Sequence, residues 1–424
     1  MDGAGVRTET RLGSPVSTSA LAPFRHRSFR FQWPADLLTS WAFEMETLIL
    51  GWYMLVETGS VIWLTAFASL QFLGTLVAPL FGVAGDRFGH RNLLCAMRAC
   101  YAVLAACLAA LALSGLLSPA AVLGIAALTG LVRPSDMSMR TTLVGCTMPA
   151  PLLMAALGIN RTTADSARVA GALVGAGLVA LLGTGQAYLI ITGLYTMAFL
   201  LTLGAEGGRS PGAASSVWRE LGDGFAYVWR SPCLLATMLM AFLVNLSAFP
   251  LSGGLLPYVA KEVYGVDRTG LGYLAASFAG GALLSSLLLS ANAARLRPGR
   301  TMILACVVWY SLLLLFARTE TAVAGMVLLG LAGFAQSLSQ VPMAALLLRN
   351  TTDAFRGRVM GVRSLAIYGL PLALLAAGPL IERMGFAATA TLYAGSGLAC
   401  TLAIGWRWRV ALWADGAPGR AGRG

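Results

Sequence analysis

The chain has 424 residues, of which 57% are hydrophobic and only 11% charged, with a mean hydropathy of +0.74 and a net charge of +12. A soluble fold of this length cannot cover its surface with so little charge, whereas helices whose apolar faces meet lipid can. The positive charge does not mark a nucleic-acid binder, because the arginines recur in alternate polar segments rather than on one basic face, which is a topology signal.

Segments of about twenty apolar residues are long enough to cross a bilayer as helices. The sequence predicts twelve: Phe31–Val56, Val61–Phe81, Asn92–Leu117, Ala120–Val144, Leu152–Leu182, Gln186–Leu203, Cys233–Pro257, Leu271–Ala293, Thr301–Phe316, Thr321–Leu348, Val359–Ile381 and Phe386–Trp406. They are numbered here as spans 1 to 12, and they imply an all-α polytopic membrane protein. Residues 1–30 are polar, end in Arg25-His26-Arg27-Ser28-Phe29-Arg30, and read as a tail rather than a cleaved signal, since the apolar run that follows is too long for a signal core.

Arginine placement tests the count. With both termini in the cytoplasm, the inside segments hold Arg25, Arg27 and Arg30, then Arg87 and Arg91, then Arg209, Arg219 and Arg230, then Arg295, Arg297 and Arg300, then Arg349, Arg356 and Arg358, and last Arg407 and Arg409. The outside segments hold only Lys261, Arg268, Arg318 and Arg383. The bias keeps one sign through all twelve spans, as the positive-inside rule requires.

The long polar break, residues 206–231, starts rich in Gly, Ser and Pro and ends in a short amphipathic helix, Trp218 to Arg230, expected to lie on the membrane surface. It separates two bundles of six spans, residues 31–205 and 232–408, with a C-terminal tail at 409–424. The halves read as a worn repeat at an offset of about 208 residues, which aligns Pro134 with Pro342 and Arg87 with Arg295.

Charges inside a spanning helix cost at least ~2.5–3.5 kcal/mol each, so they face a cavity, pair, or work. Span 1 holds Asp36, Glu44 and Glu46. At about 100° per residue, Asp36, Ser40, Glu44 and Thr47 share one face and Glu46 lies outside it. Asp36, near the inner end, is expected to be solvated, while Glu44 is about 12 Å deeper. Desolvation favours the neutral form of a carboxylate, which suits a proton carrier, so Glu44, Glu46 and Asp36 are the proton-coupling candidates; a structural ion pair with an arginine of span 4 or 5 is the alternative.

Span 5 holds Asn160, Arg161, Asp165 and Arg168 on one stripe, and span 4 holds Arg133, Asp136 and Arg140. These stripes either line the cavity and bind an anionic group, for which the guanidinium fork is suited, or form the salt-bridge lattice of a gate. Asp136 and Arg140 read as gate, and Arg168, Arg133, Arg161, Asp165 and Asn160 as cavity. In the second half, Gln336, Gln340 and Asn245 are candidate substrate contacts, Pro342, Pro371 and Pro379 candidate kinks, and Trp309, Tyr310 and Trp406 to Arg409 candidate interfacial anchors.

Between spans 2 and 3 runs Gly82-Val83-Ala84-Gly85-Asp86-Arg87-Phe88-Gly89-His90-Arg91. It fits the pattern G-x-x-x-D-[RK]-x-G-[RK]-[RK] with His90 as its one departure, and it resembles the signature loop of the major facilitator superfamily. The resemblance implies two pseudo-symmetric six-helix bundles and secondary transport by alternating access. Gly82, Asp86, Arg87, Gly89 and Arg91 are then gating residues, with contacts made in one state and broken in the other.

Phe29-Arg30, Thr58-Gly59-Ser60, the run Ala167 to Leu173 and Arg356-Gly357-Arg358-Val359-Met360 are similar to the enterobactin-exporter-like branch, which includes siderophore and macrolide-type drug exporters. By that resemblance Glu44 occupies the place of the acidic residue of the first helix and Arg168 that of the arginine of the fifth. Gly171 is followed by Ala172 where antiporters usually carry proline.

The sequence holds no nucleotide loop, nucleophile arrangement or metal-ligand spacing; the seven cysteines lie mostly in apolar segments, and His26 and His90 sit apart in polar ones. The expectation is a monomeric, proton-coupled exporter of a small organic molecule in a bacterial inner membrane, without cofactor, metal, nucleic acid or enzymatic activity. Import of an organic anion, and a non-transporting membrane sensor or assembly factor, are the alternatives.

Overall fold

The computed structural model describes residues 21–75, 77–207, 217–292, 297–352 and 355–413, and among them there is helix and no strand. Span 1 is α1 (Arg27–Thr58), which stops at Gly59, a residue in the left-handed region (φ 62°) whose N–H reaches back to the Leu55 carbonyl. Span 2 is interrupted: α2 (Val61–Leu70) gives way to a 3-10 turn at Leu73–Thr75 and then α3 (Ala78–Phe88). The break lies where span 2 crosses span 4. A Cβ on Gly74 would stand 1.9 Å from the Leu131 carbonyl oxygen, and one on Gly130 1.9 Å from that of Leu70, so the backbones touch and only glycine fits.

Spans 3 to 6 are α4 (His90–Leu113), α5 (Pro119–Thr147), α6 (Ala150–Leu182) and α7 (Thr184–Leu203). After α8 (Val217–Arg230), α9 (Pro232–Ser247) opens span 7, which runs on through two π-helical turns, Pro250–Gly254 and Val259–Val263, on either side of α10 (Leu256–Tyr258). Spans 8 to 10 are α11 (Arg268–Asn292), α12 (Pro298–Phe316) and α13 (Ala322–Arg349). Span 11 is α14 (Arg356–Leu365), a 3-10 turn at Ala366–Tyr368 and the first half of α15 (Gly369–Arg407); α15 reverses at Gly385 (φ 81°, ψ 166°), and its second half is span 12. A short α16 (Arg409–Trp413) follows.

Among the described residues, eight stretches are long and apolar enough to cross a membrane, the longest being Arg356–Arg407, which the Gly385 bend divides into two crossings. The more charged α1 and α5 and the interrupted α2–α3 complete twelve, in two bundles of six. The first bundle closes on a cluster of Phe43, Tyr101 and Tyr195 rings, 5.0–5.7 Å between centroids.

The second bundle closes on Trp309, Tyr310, Phe249 and Phe316. The sequence expectation that Trp309 and Tyr310 are interfacial anchors is therefore corrected. Both are fully buried halfway along α12, where the Tyr310 hydroxyl meets Ser247 Oγ at 2.7 Å and the ring fills the slot left by Gly397. A partner inside the bundle does for that hydroxyl what interfacial water would have done. Trp406 is 73% exposed.

A second correction concerns the turn between spans 2 and 3. Residues 82–88 are the end of α3 rather than loop, and Gly89 alone turns the chain, at φ 88°, with its N–H on the Gly85 carbonyl at 2.8 Å. His90 is buried at this corner, its ring packed where Gly85 carries no side chain. Arg87 is exposed, and Arg91 bonds Asn92 Oδ1 at 3.0 Å and reaches the Ala205 carbonyl at 3.4 Å. The surroundings of Gly82, the side chain of Asp86, and residues Arg209 and Arg295 lie outside what is described.

The bundles meet through α6 against α11 and α2 against α15. Gly378 leaves room for Thr65 and Ile62, Ser69 donates to the Pro371 carbonyl at 3.1 Å, Ser60 to Glu382 at 3.4 Å, and Arg268 to the Val179 carbonyl at 3.4 Å. A further contact across the bundles, Asp165 with Ser286 of α11, lies at 3.5 Å. α8 docks on α14, with Asp223 3.5 Å from Arg358 and Tyr227 stacked on Phe355 at 4.5 Å, and leaves Phe225 and Trp229 exposed.

Candidate functional site

The charges inside the spans fall into three groups with different surroundings. The first is sealed within the first bundle. Asp36 of α1 pairs with Arg98 of α4, which also donates to Thr202 of α7. Arg140 of α5 lies 3.7 Å from the same Asp36 carboxylate and 2.5 Å from Asp136, and it donates to the Asp36 carbonyl and to Ser40. Two arginines and two aspartates thus neutralise one another where water is excluded, and four helices converge on them.

Asp36 is not solvated, as its place near the end of span 1 suggested; it is 4% exposed because Arg98 covers it. Arg98 is fully buried and escaped the sequence reading, although the cost of its charge within span 3 was the signal that could have found it. The described partners of Asp136 and Arg140 all belong to the first bundle.

The second group is two to three helical turns deeper. Glu46 turns into the bundle core, where Tyr195 donates to its carboxylate at 2.9 Å. Arg133 donates to Thr47 at 3.0 Å and to Gln71, and its guanidinium lies over the Phe43 ring at 4.5 Å. Gln71, which the sequence reading passed over, is buried at the break of span 2 and ties span 4 to span 1 through Arg133 and Thr47.

The third group lies between the bundles. Glu44 points the other way from Glu46, since two residues along a helix are about 200° of rotation, and its side chain is 34% exposed. Its nearest cation is Arg168 of α6, at 3.9 Å. Asp165, one turn earlier, holds Arg161 at 3.2 Å and Arg168 at 3.9 Å, and Ser286 of α11 reaches it from the second bundle at 3.5 Å. Ser286 in turn bonds Ser337 of α13 at 2.8 Å. Gly171 makes the approach of α1 to α6 feasible here, because a Cβ would stand 2.6 Å from the Glu44 Cβ.

The buried Asn160 Oδ1 has no hydrogen-bond partner among the described residues. Gln336 is buried in α13 and Gln340 half-buried one turn on, while Asn245 bonds the Ala241 carbonyl of its own helix at 2.8 Å. Among the described residues, no three His, Cys, Asp or Glu side chains gather as a metal site.

This third group has the chemistry of an exchange site. The Glu44–Arg168 pair is long and open at both partners, so a guest ion or a proton can replace it at little cost, since exposed pairs contribute only about 0–1 kcal/mol, whereas Asp165 is buried and holds Arg161 at 3.2 Å.

The family model described as Major Facilitator Superfamily matches residues 35–370. Among solved structures, the chain is similar to the POT family transporter PepTSo, at 13% identity and a TM-score of 0.74 over 92% of this chain and 99% of that one. It is similar to the nucleoside transporter NupG at 14% identity and 0.68, over 91% and 99%. The human organic anion transporter MFSD10 matches at 18% identity and 0.64, over 90% and 99%. At these identities the likeness is one of fold. Among curated proteins, none matches the sequence significantly.

Proposed function

The chain belongs to the major facilitator superfamily of transporters, and on that premise we propose that it exports a small organic solute in exchange for protons, with Glu44 as the residue that takes up and releases the proton. The observation that supports this reading is the contrast among the three acids of span 1. Asp36 is closed in by Arg98 and Arg140 and Glu46 by Tyr195, whereas Glu44 faces the cleft and has only a loose contact with Arg168. A coupling carboxylate must be reachable from solvent and must change partners between states; the exposure of Glu44 supports the first need, and its loose contact with Arg168 leaves it able to meet the second.

In this reading the bundles 31–205 and 232–408 rock about the cleft, and solute and proton alternate at Glu44, Asp165 and Arg168. The signature turn and the Asp136–Arg140 pair steady the first bundle as it moves. Gln336, Gln340 and Asn245 contribute the second bundle's polar contacts. Outward transport, both termini in the cytoplasm of a bacterium, and action as a monomer rest on the branch resemblance and the arginine bias. Import of an organic anion is the second reading, motivated by the arginines of spans 4 and 5.

The test begins with untargeted mass spectrometry of cells and medium, comparing a strain lacking the gene with an overproducer. Export predicts a compound that falls outside and rises inside on deletion; the reverse pattern turns the direction to import. With that compound and purified protein in liposomes, Glu44→Gln is expected to lose accumulation driven by a pH gradient while retaining solute counterflow, because the carboxyl is replaced by an isostere that cannot titrate. Undiminished gradient-driven accumulation by Glu44→Gln removes the proton from this residue.

A further inference from the structure

α12 packs chiefly on α13, α15 and α16, all within the second bundle. Where it begins, a shallow groove of about 500 Å³ lies between it and α16, lined by Arg300 of α12 and by Arg409, Val410 and Trp413 of α16. The two helices touch there: a Cβ on Gly299 would stand 2.0 Å from the Leu412 carbonyl oxygen, and Leu412 is buried. The groove is therefore fixed by the packing of α16 on α12. Arg300 and Arg409 are both exposed, and among the described residues neither has a hydrogen bond or an ion pair. Two guanidinium groups thus share one groove, and no described carboxylate neutralises them.

The surroundings of the groove point to its occupant. Along α12, Arg300, Leu304 and Val308 recur every four residues, which is one stripe of a helix, and all three are exposed. Leu402 and Trp406 make a second exposed stripe on α15, and Val410, just beyond its end, is exposed as well. α15 is the neighbour of α12, with Gly405 facing Ile303. Two apolar stripes on adjacent helices therefore lead to the groove. In a bilayer acyl chains cover such stripes, and tryptophan and arginine mark the level of the headgroups at which they end. A phospholipid whose chains lie along Leu304 and Leu402 brings its phosphate to Arg300 and Arg409. An oxyanion between two guanidinium groups replaces their repulsion with charge-assisted hydrogen bonds on both sides.

We propose that this groove is a binding site for the headgroup of an anionic phospholipid, with Arg300 and Arg409 on the phosphate and Val410 and Trp413 against the start of the acyl chains. The bound lipid fastens α16 to the beginning of α12. The apolar walls favour a lipid over a soluble phosphate, and the two cations favour a headgroup such as glycerol over one that carries its own positive charge. The site is independent of the solute, the coupling ion and the direction of flux, and it requires only that the second bundle stand in a bilayer.

The test is native mass spectrometry of the purified protein in detergent, with phosphatidylglycerol and phosphatidylcholine of the same acyl chains added in equal amounts. The wild-type protein is expected to retain phosphatidylglycerol preferentially. Arg300→Gln and Arg409→Gln are each expected to weaken that retention ~5-fold, the scale of one basic residue at an anionic membrane surface, and the double variant to lose the preference. Arg407→Gln removes the same charge nearby, but that guanidinium lies over the Trp408 ring at 5.4 Å and does not line the groove, so this variant is expected to keep the preference. Equal retention of the two lipids by the wild type overturns the proposal. So does an equal loss in Arg407→Gln, which would mean that net charge and not the groove selects the lipid. Inorganic phosphate in millimolar excess is expected to leave the lipid bound; its displacement would make the groove a site for free anions and overturn the lipid assignment. A preference that emerges only in Asp415→Asn would show that the chain's own carboxylate takes the place assigned to the lipid, and overturns it as well.

Discussion

Arg98→Ala is expected to destabilise the protein by about 3–5 kcal/mol, the scale on which removing one partner of a buried ion pair leaves the other charge without compensation. Arg98 is fully buried on α4 and is the link by which Asp36 of α1 and Thr202 of α7 share one group. With it gone, Asp36 keeps only Arg140, at 3.7 Å, and that arginine is already committed to Asp136 at 2.5 Å. Thermal unfolding in detergent, followed by tryptophan fluorescence, reads the effect. The double variant Asp36→Leu with Arg98→Leu is expected to recover much of the loss, because two apolar side chains in place of a buried pair leave no orphaned charge. An Arg98→Ala protein that unfolds at the wild-type temperature would show that Arg140 alone satisfies Asp36.

The same physics explains what was legible in the sequence. Runs of about twenty apolar residues and the glycines that end them were readable, because lipid forces every backbone group into a helix and left-handed residues mark where the helix stops. Gly59, Gly183 and Gly385 all take positive φ at span ends. The opposite directions of Glu44 and Glu46 were likewise implied by their spacing, and the structure puts one in the cleft and the other in the core.

Contacts between distant segments were not legible. Nothing local distinguishes Gly74 and Gly130, where spans 2 and 4 touch, from glycines with open space around them. A tyrosine near a span end and a tyrosine whose hydroxyl finds Ser247 have the same sequence surroundings, so Tyr310 was misread. Residues 82–88 looked like loop because they are charged and contain glycine, but helix is tolerant of both until Gly89 leaves the right-handed region. Arg98 is a different kind of omission. It lies within a predicted span, and the energetic rule applied to spans 1, 4 and 5 applies to it equally.

Gly281→Val is expected to cost about 3 kcal/mol or more, at the upper end of what overpacking does, while Gly280→Val next to it is expected to be tolerated. The two glycines are on successive faces of α11. A Cβ at Gly281 would stand 1.8 Å from the Gly330 carbonyl oxygen of α13, whereas one at Gly280 meets nothing within 4 Å. One turn along the crossing, Gly333 stands in the same relation to the Phe278 carbonyl, at 1.9 Å, so small residues on both helices let the two backbones touch, as membrane helices do where packing must replace the hydrophobic effect. A backbone oxygen cannot swing aside as a side chain can, and spans 8 and 10 must separate to admit the valine. That separation reaches the cleft, because Ser286 and Ser337, 2.8 Å apart, lie farther along the same two helices, and Ser286 is the second bundle's contact with Asp165. The Gly281→Val protein should therefore accumulate poorly and unfold at lower temperature, and any that folds should transport less than the Gly280→Val protein at equal amounts. Equal yield and equal unfolding temperature for the two variants would mean that the crossing of α11 and α13 is looser than the contact of their backbones implies, and that Asp165 does not depend on it for its partner across the cleft.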